Sequence, residues 1–320
     1  MCERFDITGP TSDCIEERRP PARTMRSPVK MIRRRGRLIA AGIFSAAMLF
    51  VPAVLFSAEA PRKVKLARGG REYSATRIEI DAVGGGVQPV YLIEPKKEVS
   101  PKRAFFLFGG GVGRVNHVRR QSEGVYRISR NFLMRIIKEI VDDGIAAVPV
   151  GMWTQLDGNA ADDFRLGKNN AKNMARAVRI LAGRGYEEIF IVGTSRGTMD
   201  AAGMAVNLKD PRVKGVIFTA TMGGDEGILA LPLEKIRYPV LFVHNRYDGC
   251  HATTYESARE MYGRIKSSRR HFVAVSAEAI AEGRECGAVA AHGFLGAEAG
   301  AARVMTDWAK GKTPPGEIIK

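Results

Sequence analysis

Apolar positions recur along this chain with two distinct periods. Short runs such as Phe105-Phe106-Leu107-Phe108, Ile189-Phe190-Ile191-Val192 and Val240-Leu241-Phe242-Val243 carry no polar alternation. Runs of that length and composition read as strands buried on both faces. The pattern predicts strands over 73–80, 90–93, 104–108, 145–150, 188–192, 213–219, 240–244 and 271–275. Between them apolar residues return at helical spacing, as with Ile136, Ile137 and Ile140, or Met174, Val178 and Leu181. Helices are expected over 129–142, 169–182, 195–208, 253–262 and 297–308. Strands separated by helices imply an α/β architecture: a mainly parallel, eight-stranded sheet with helices on both faces. No internal repeat interrupts this order.

One strand-to-helix junction carries chemistry. The run 189–192 enters Gly193-Thr194-Ser195-Arg196-Gly197, and a small-residue helical stretch leaves it. Gly-x-Ser-x-Gly alone is a weak signal, but between a strand and a helix it has the layout of a nucleophile elbow. The turn is so tight that only small residues fit two places either side of the serine, and Gly193 and Gly197 lack a Cβ. Ser195 is then exposed at the carboxyl edge of the sheet.

A serine hydroxyl is a poor nucleophile at neutral pH and needs a base that a third group orients. Behind such an elbow the partners follow in the order Ser, Asp or Glu, His. Asp248 lies in the polar loop after strand 240–244, where the acid belongs; the other reading of an Asp-Gly pair is an ordinary turn. His292 lies just before the last helix and has a small neighbour, Gly293. Of the other four histidines, His117 precedes the elbow, His244 ends the strand before Asp248, His251 shares the acid's loop, and His271 opens an alternating strand. His292 is therefore the expected base.

These segments together resemble the α/β-hydrolase superfamily, and especially a group of small secreted bacterial serine hydrolases of poorly defined substrate. The resemblance covers roughly residues 75–310 and rests on Phe106-Leu107-Phe108-Gly109-Gly110-Gly111, Asn131-Phe132-Leu133-Met134-Arg135, Phe164-Arg165, 193–198, His244 with Asp248 and Cys250, and Cys286 with His292-Gly293-Phe294. It implies Ser195 as nucleophile, Asp248 as acid and His292 as base. The loop 109–130 departs from the group in being longer and more basic, so the resemblance names no substrate there.

An oxyanion hole needs two backbone N–H groups. Arg196, after the nucleophile, is one expected donor. Gly110, with Gly111 next to it, is the other, because glycines let a backbone approach a ligand closely. A flexible loop with no ligand is the plainer reading of this triple glycine. The run lacks the spacing of a dinucleotide fingerprint, and no cofactor or resident metal is expected. The connection 220–237 is short, with room for a small helix over 226–231, so the lid should be minimal. Loops 111–130 and 152–165 should cover the site instead. Trp153 in the second is either ordinary packing or a wall for an acyl group.

The ends and the charge set the address. Arg33-Arg34-Arg35-Gly36-Arg37, the apolar stretch 38–56 and Ser57-Ala58-Glu59-Ala60 read as a signal peptide cleaved after Ala60. An uncleaved signal anchor is the alternative, because the apolar run approaches membrane-spanning length. Residues 1–30 are unpatterned, and Met25 or Met31 could be the true start. The expected organisation is leader 1–60, basic linker 61–72, catalytic domain 73–310 and a frayed tail 311–320. A periplasmic or secreted address follows, or an inner-membrane anchor with the domain outside the cytoplasm.

Beyond residue 60 the chain carries 40 basic and 28 acidic residues, net +12. That balance suits an anionic surface, although charge spread over a solvated face is the plainer reading than a specific anion site, and the chain carries no nucleic-acid motif. A membrane would be a partner only if the leader is retained. Only Cys250 and Cys286 remain there, an even pair in an oxidising address. A disulfide closing about 36 residues would contribute roughly 3 to 4 kcal/mol in the chain-entropy model. The alternative is a zinc site with His251, for which no fourth ligand has sensible spacing.

The expected activity is hydrolysis of an ester or related acyl bond in a small-molecule substrate. A peptidase or an acyltransferase would use the same residues. A non-catalytic binding protein on the same scaffold is the alternative of another class.

Overall fold

The computed structural model describes residues 60–97, 99–111, 117–155, 161–223, 227–279 and 283–319. The expected leader and its expected cleavage site therefore lie outside the described residues, apart from Ala60. The elements run β1 (Arg62–Arg68), β2 (Arg71–Asp81), β3 (Val87–Leu92), β4 (Arg103–Phe108), β5 (Val118–Ser122), β6 (Val125–Ile128), α1 (Phe132–Arg135), α2 (Ile137–Asp142), β7 (Ile145–Pro149), α3 (Ala161–Leu166), α4 (Lys168–Ala182), β8 (Glu188–Ser195), α5 (Gly197–Asn207), β9 (Val213–Thr221), β10 (Val240–Asn245), α6 (Tyr255–Arg264), β11 (Arg270–Ser276), α7 (Glu298–Ala309) and β12 (Glu317–Ile319).

The main sheet is parallel throughout, with strand order β12-β11-β10-β9-β8-β4-β7. It has seven strands, not the expected eight. β2 and β3 leave it for a second sheet, ordered β3-β2-β1-β6-β5, in which most pairs are antiparallel. Two isolated bridges, Val90–Val150 and Ile93–Ala147, link this sheet to the β7 end of the first. Alternation in β2 buries Ile78 and Ile80 while Arg77 and Glu79 are half-exposed. That pattern suits a sheet with one face toward water, which apolar content alone does not separate from a central strand.

Strand alternation divides the core in two. Phe105, Leu107, Phe190, Val192, Leu241 and Val243 pack with Leu133, Ile137, Ile140, Met305 and Trp308 from α1, α2 and α7. Ala104, Phe106, Ile189, Ile191 and Phe242 pack on the other face with Met174, Val178, Met199 and Met261 from α4, α5 and α6. Burying both faces is what made the apolar runs continuous.

Five segments differ from expectation. The supposed linker 61–72 contains β1, whose Val64 and Leu66 are buried while the alternating Lys63 and Lys65 face water. The supposed tail contains β12, paired with β11. The basic loop 109–130 contains the hairpin β5–β6. The helix expected over 129–142 is interrupted at Ile136, which joins α1 to α2. In the short connection after β9, two 3-10 turns, Ile228–Ala230 and Leu233–Lys235, replace the expected small helix, and 224–226 lie outside the described residues. No helix among the described residues is long and apolar enough to cross a membrane.

Candidate active site

β8 ends at Ser195 with φ +53°, a left-handed conformation uncommon for a residue with a side chain. The strain is held by close packing. A Cβ on Gly193 would lie 2.4 Å from the Gly197 carbonyl oxygen, and one on Gly197 would lie 2.0 Å from that of Phe108. Only glycine lets strand, turn and helix pass this close. Thr198 then fixes the turn: its hydroxyl donates to the Ser195 carbonyl (2.6 Å) and accepts from Met222 N–H (3.0 Å).

The expected acid and base meet. Asp248, in the loop after β10, and His292, in the 3-10 turn Ala291–Gly293, are both buried. His292 Nδ1 lies 3.1 Å from Asp248 Oδ1 and 3.0 Å from Oδ2. Cys250 N–H donates to Oδ1 (3.0 Å), and the Thr253 hydroxyl donates to Oδ2 (2.9 Å). Thr253 Oγ1 also lies 3.0 Å from His292 Nδ1. This fully buried threonine is a site residue that sequence reasoning missed, because no motif marks it.

The remaining histidines support the site or lie apart from it. His244 is buried beneath Asp248, with Nε2 toward the Thr253 carbonyl (2.9 Å) and Nδ1 accepting from Thr221 N–H (3.3 Å). Burial lowers its pKa, opposed in part by the Asp248 charge, so its neutral form is favoured. His271 accepts from the Trp308 indole and is structural.

Two side chains hold the loop that carries His292. Asn245 donates to the carbonyls of Ala277 (2.8 Å) and Ala291 (3.1 Å). Arg135, at the end of α1, donates to Ala288 (2.5 Å) and Gly293 and pairs with Glu298 (3.1 Å). The Cys250–Cys286 disulfide joins the acid's loop to the segment before the base. It excludes the zinc alternative with His251, since both sulfurs are already bonded to each other.

Ser195, His292, Arg196, Gly110 and Gly111 line one cavity of about 480 Å³. No hydrogen bond joins Ser195 to His292 in this structure, although both face that space. A Cβ on Gly110 would lie 2.6 Å from Ser195 Cβ and 3.1 Å from Arg196 N, so the glycine backbone abuts the serine.

His117 was set aside for its position before the elbow, yet it belongs to this loop. Its Nε2–H donates to the Gly110 carbonyl (2.5 Å), and its Nδ1 accepts from the Ser129 hydroxyl (2.7 Å). Burial pushes its pKa down to about 4, so at neutral pH it is the uncharged tautomer this pairing requires. Arg165, from α3, forms a buried ion pair with Asp200 and reaches the Gly109 carbonyl (3.4 Å).

Trp153 is packing. Its ring stacks on Phe164 (5.1 Å between centroids), and its N–H donates to Gly85 O (2.7 Å). It lines a separate space of about 30 Å³ beside Arg165, too small for an acyl chain. Of the two loops expected over the serine, 111–130 contributes Gly111, His117, Ser129 and Arg130 to the cavity, and described residues of 152–165 contribute none.

The parallel sheet, the elbow after its β8 strand and the acid–base loops after β10 and before α7 define the α/β-hydrolase fold, and this chain has it. No protein-family model matches the chain, and no curated protein matches it. Among solved structures it is similar to a 2,6-dihydroxy-pseudo-oxynicotine hydrolase, at 16% identity and TM-score 0.50 over 75% of this chain and 70% of that one. It is also similar to a cold-adapted esterase from an Arctic intertidal metagenomic library (16% identity, TM-score 0.48, 68% of this chain and 89% of that one). A third similar structure is Est1E from Butyrivibrio proteoclasticus (13% identity, TM-score 0.49, 74% and 99%).

Proposed function

We propose that the protein is a serine hydrolase that cleaves an ester or related acyl bond through an acyl-enzyme. The observation that carries this reading is the buried Asp248–His292 pair, whose histidine lines the same cavity as a strained serine at the strand end. In this mechanism Ser195 Oγ attacks the carbonyl. His292 Nε2 takes the serine proton and returns it to the leaving group. Asp248 holds the imidazole with Nδ1 protonated and stabilises the imidazolium. Water then releases the acyl group by the same steps in reverse.

The Arg196 N–H is the first oxyanion donor. For the second, the held carbonyl of Gly110 favours Gly111 over Gly110 itself. A trans peptide is planar, so the Gly111 N–H points opposite to the carbonyl that His117 engages. Each such donor typically contributes ~3 kcal/mol to the transition state.

The disulfide favours an oxidising, extracytoplasmic address, in keeping with the leader expected over 1–60. Turnover of short p-nitrophenyl acyl esters tests the activity. Ser195→Ala and His292→Ala should each remove nearly all of it, because such residues act as a unit. A Ser195→Ala protein with wild-type esterase rates would refute the assignment.

A further inference from the structure

Beside the Ser195 cavity lies a second one of about 310 Å³, lined by Arg68, Gly69, Arg119, Arg127, Ile128, Ser129 and Arg130. Ser129 and Arg130 belong to the walls of both. The Ser195 cavity adds Arg196 and Arg284. Among the described residues, the linings of the two cavities together hold six arginines and no carboxylate; one of the six, Arg196, is paired with Asp162 (2.8 Å). The ratio of 40 basic to 28 acidic residues beyond position 60 would place about four acids beside six bases. Positive charge is concentrated on these walls.

The backbone makes this clustering costly. Arg119 and Arg127 are direct cross-strand partners in the β5–β6 hairpin, and Arg68 and Arg71 are partners in β1–β2. Like charges directly opposite one another destabilise a sheet pair. Burial lowers the Arg68 pKa, and repulsion from Arg130 and Arg71 lowers it further, although Tyr73 and Glu298 act the other way. An anion seated among these guanidinium groups would relieve the repulsion and accept bidentate hydrogen bonds.

We propose that the substrate carries an anionic group, a carboxylate or a phosphate, that binds in the arginine cavity while its acyl carbonyl lies at Ser195. The inference rests on the hydrolase reading for the carbonyl's place, but the anion site can be tested without it. Ser129 and Arg130, which belong to both linings, would lie between the two ends of such a molecule. Arg119 and Arg127 lie on the β5–β6 hairpin, so specificity would reside there and not in a lid.

Two measurements on the full-length protein decide the matter. The first compares kcat/KM for p-nitrophenyl butyrate, the mono-p-nitrophenyl ester of adipate, and a p-nitrophenyl ester ending in phosphate. At low salt one charged ester should exceed the neutral one at least tenfold, and the gap should narrow in high salt as screening sets in. The larger gain tells carboxylate from phosphate. Arg68→Gln with Arg127→Gln should reduce the preference to within about twofold and leave the neutral ester unchanged. The second measurement titrates the Ser195→Ala protein calorimetrically with adipate and with inorganic phosphate. Saturable binding should appear for one of them and be lost in the double arginine variant. Ser195-dependent turnover with no preference for either charged ester would overturn the inference and leave the hydrolase reading intact. If no ester is turned over, calorimetry stands alone: binding lost with the arginines upholds the anion site, and no binding, or binding indifferent to them, overturns it.

Discussion

Replacing His117 with glutamine should remove part of the protein's sensitivity to acid. The His117 ring is buried, donates to Gly110 O and accepts from Ser129, and burial holds its pKa at about 4. In the unfolded chain the same group titrates near 6.5. Between these values the unfolded state binds more protons than the native state, so stability rises with pH across that window. The contribution is fully present above pH 6.5 and is lost as pH falls toward 4. Between pH 7 and pH 4.5 this single residue accounts for a loss of about 2 kcal/mol. Glutamine cannot be protonated, yet its amide can still donate to the Gly110 carbonyl. Urea unfolding of both proteins at the two pH values isolates the effect. His244, whose pKa is lowered in the same direction, is present in both proteins and cancels from the comparison. The wild-type protein should lose about 2 kcal/mol more than His117→Gln on acidification. Equal losses, within 0.5 kcal/mol or so, would refute the claim that His117 is held neutral.

Thr253→Val should lower kcat more than it raises KM, by roughly tenfold, because the hydroxyl that supports both Asp248 and His292 is lost; steady-state kinetics on an acyl ester checks this. Reducing Cys250–Cys286 should lower activity at denaturant concentrations where tryptophan fluorescence is still native, because the bridge ties together loops at the edge of the site. Coincident loss of both signals would reject that local role. Arg165→Met should cost roughly 3 to 5 kcal/mol in urea unfolding, since it leaves the buried Asp200 carboxylate without its cation.

Much of the main sheet was legible because its strands are buried on both faces, which writes an apolar run into the sequence with no competing signal. β1 was not, because Lys63 and Lys65 face water in alternation with the buried Val64 and Leu66, so a two-residue alternation looked like a basic linker. β12 is three residues long and is defined by its partner β11, which no local pattern reveals. The elbow could be read from two glycines whose absent Cβ atoms the turn requires. The positions of Asp248 and His292 followed from chain order. Thr253 and His117 act through contacts made across the fold, 39 residues apart for Thr253 with His292 and 7 for His117 with Gly110. His117 was passed over because chain order selects a base and says nothing about which histidine orients a loop. Trp153 shows the opposite failure: an aromatic residue in a loop near the site invites a substrate role, whereas its ring is occupied by Phe164.

The central claim is that Ser195 is an activated nucleophile, and covalent labelling tests it most directly. The protein is treated with a fluorophosphonate, digested, and the modified peptide sequenced by mass spectrometry. The account predicts a single stoichiometric adduct on Ser195, absent from Ser195→Ala and formed far more slowly in His292→Ala. An adduct on another residue, or no labelling of a folded protein, would contradict it.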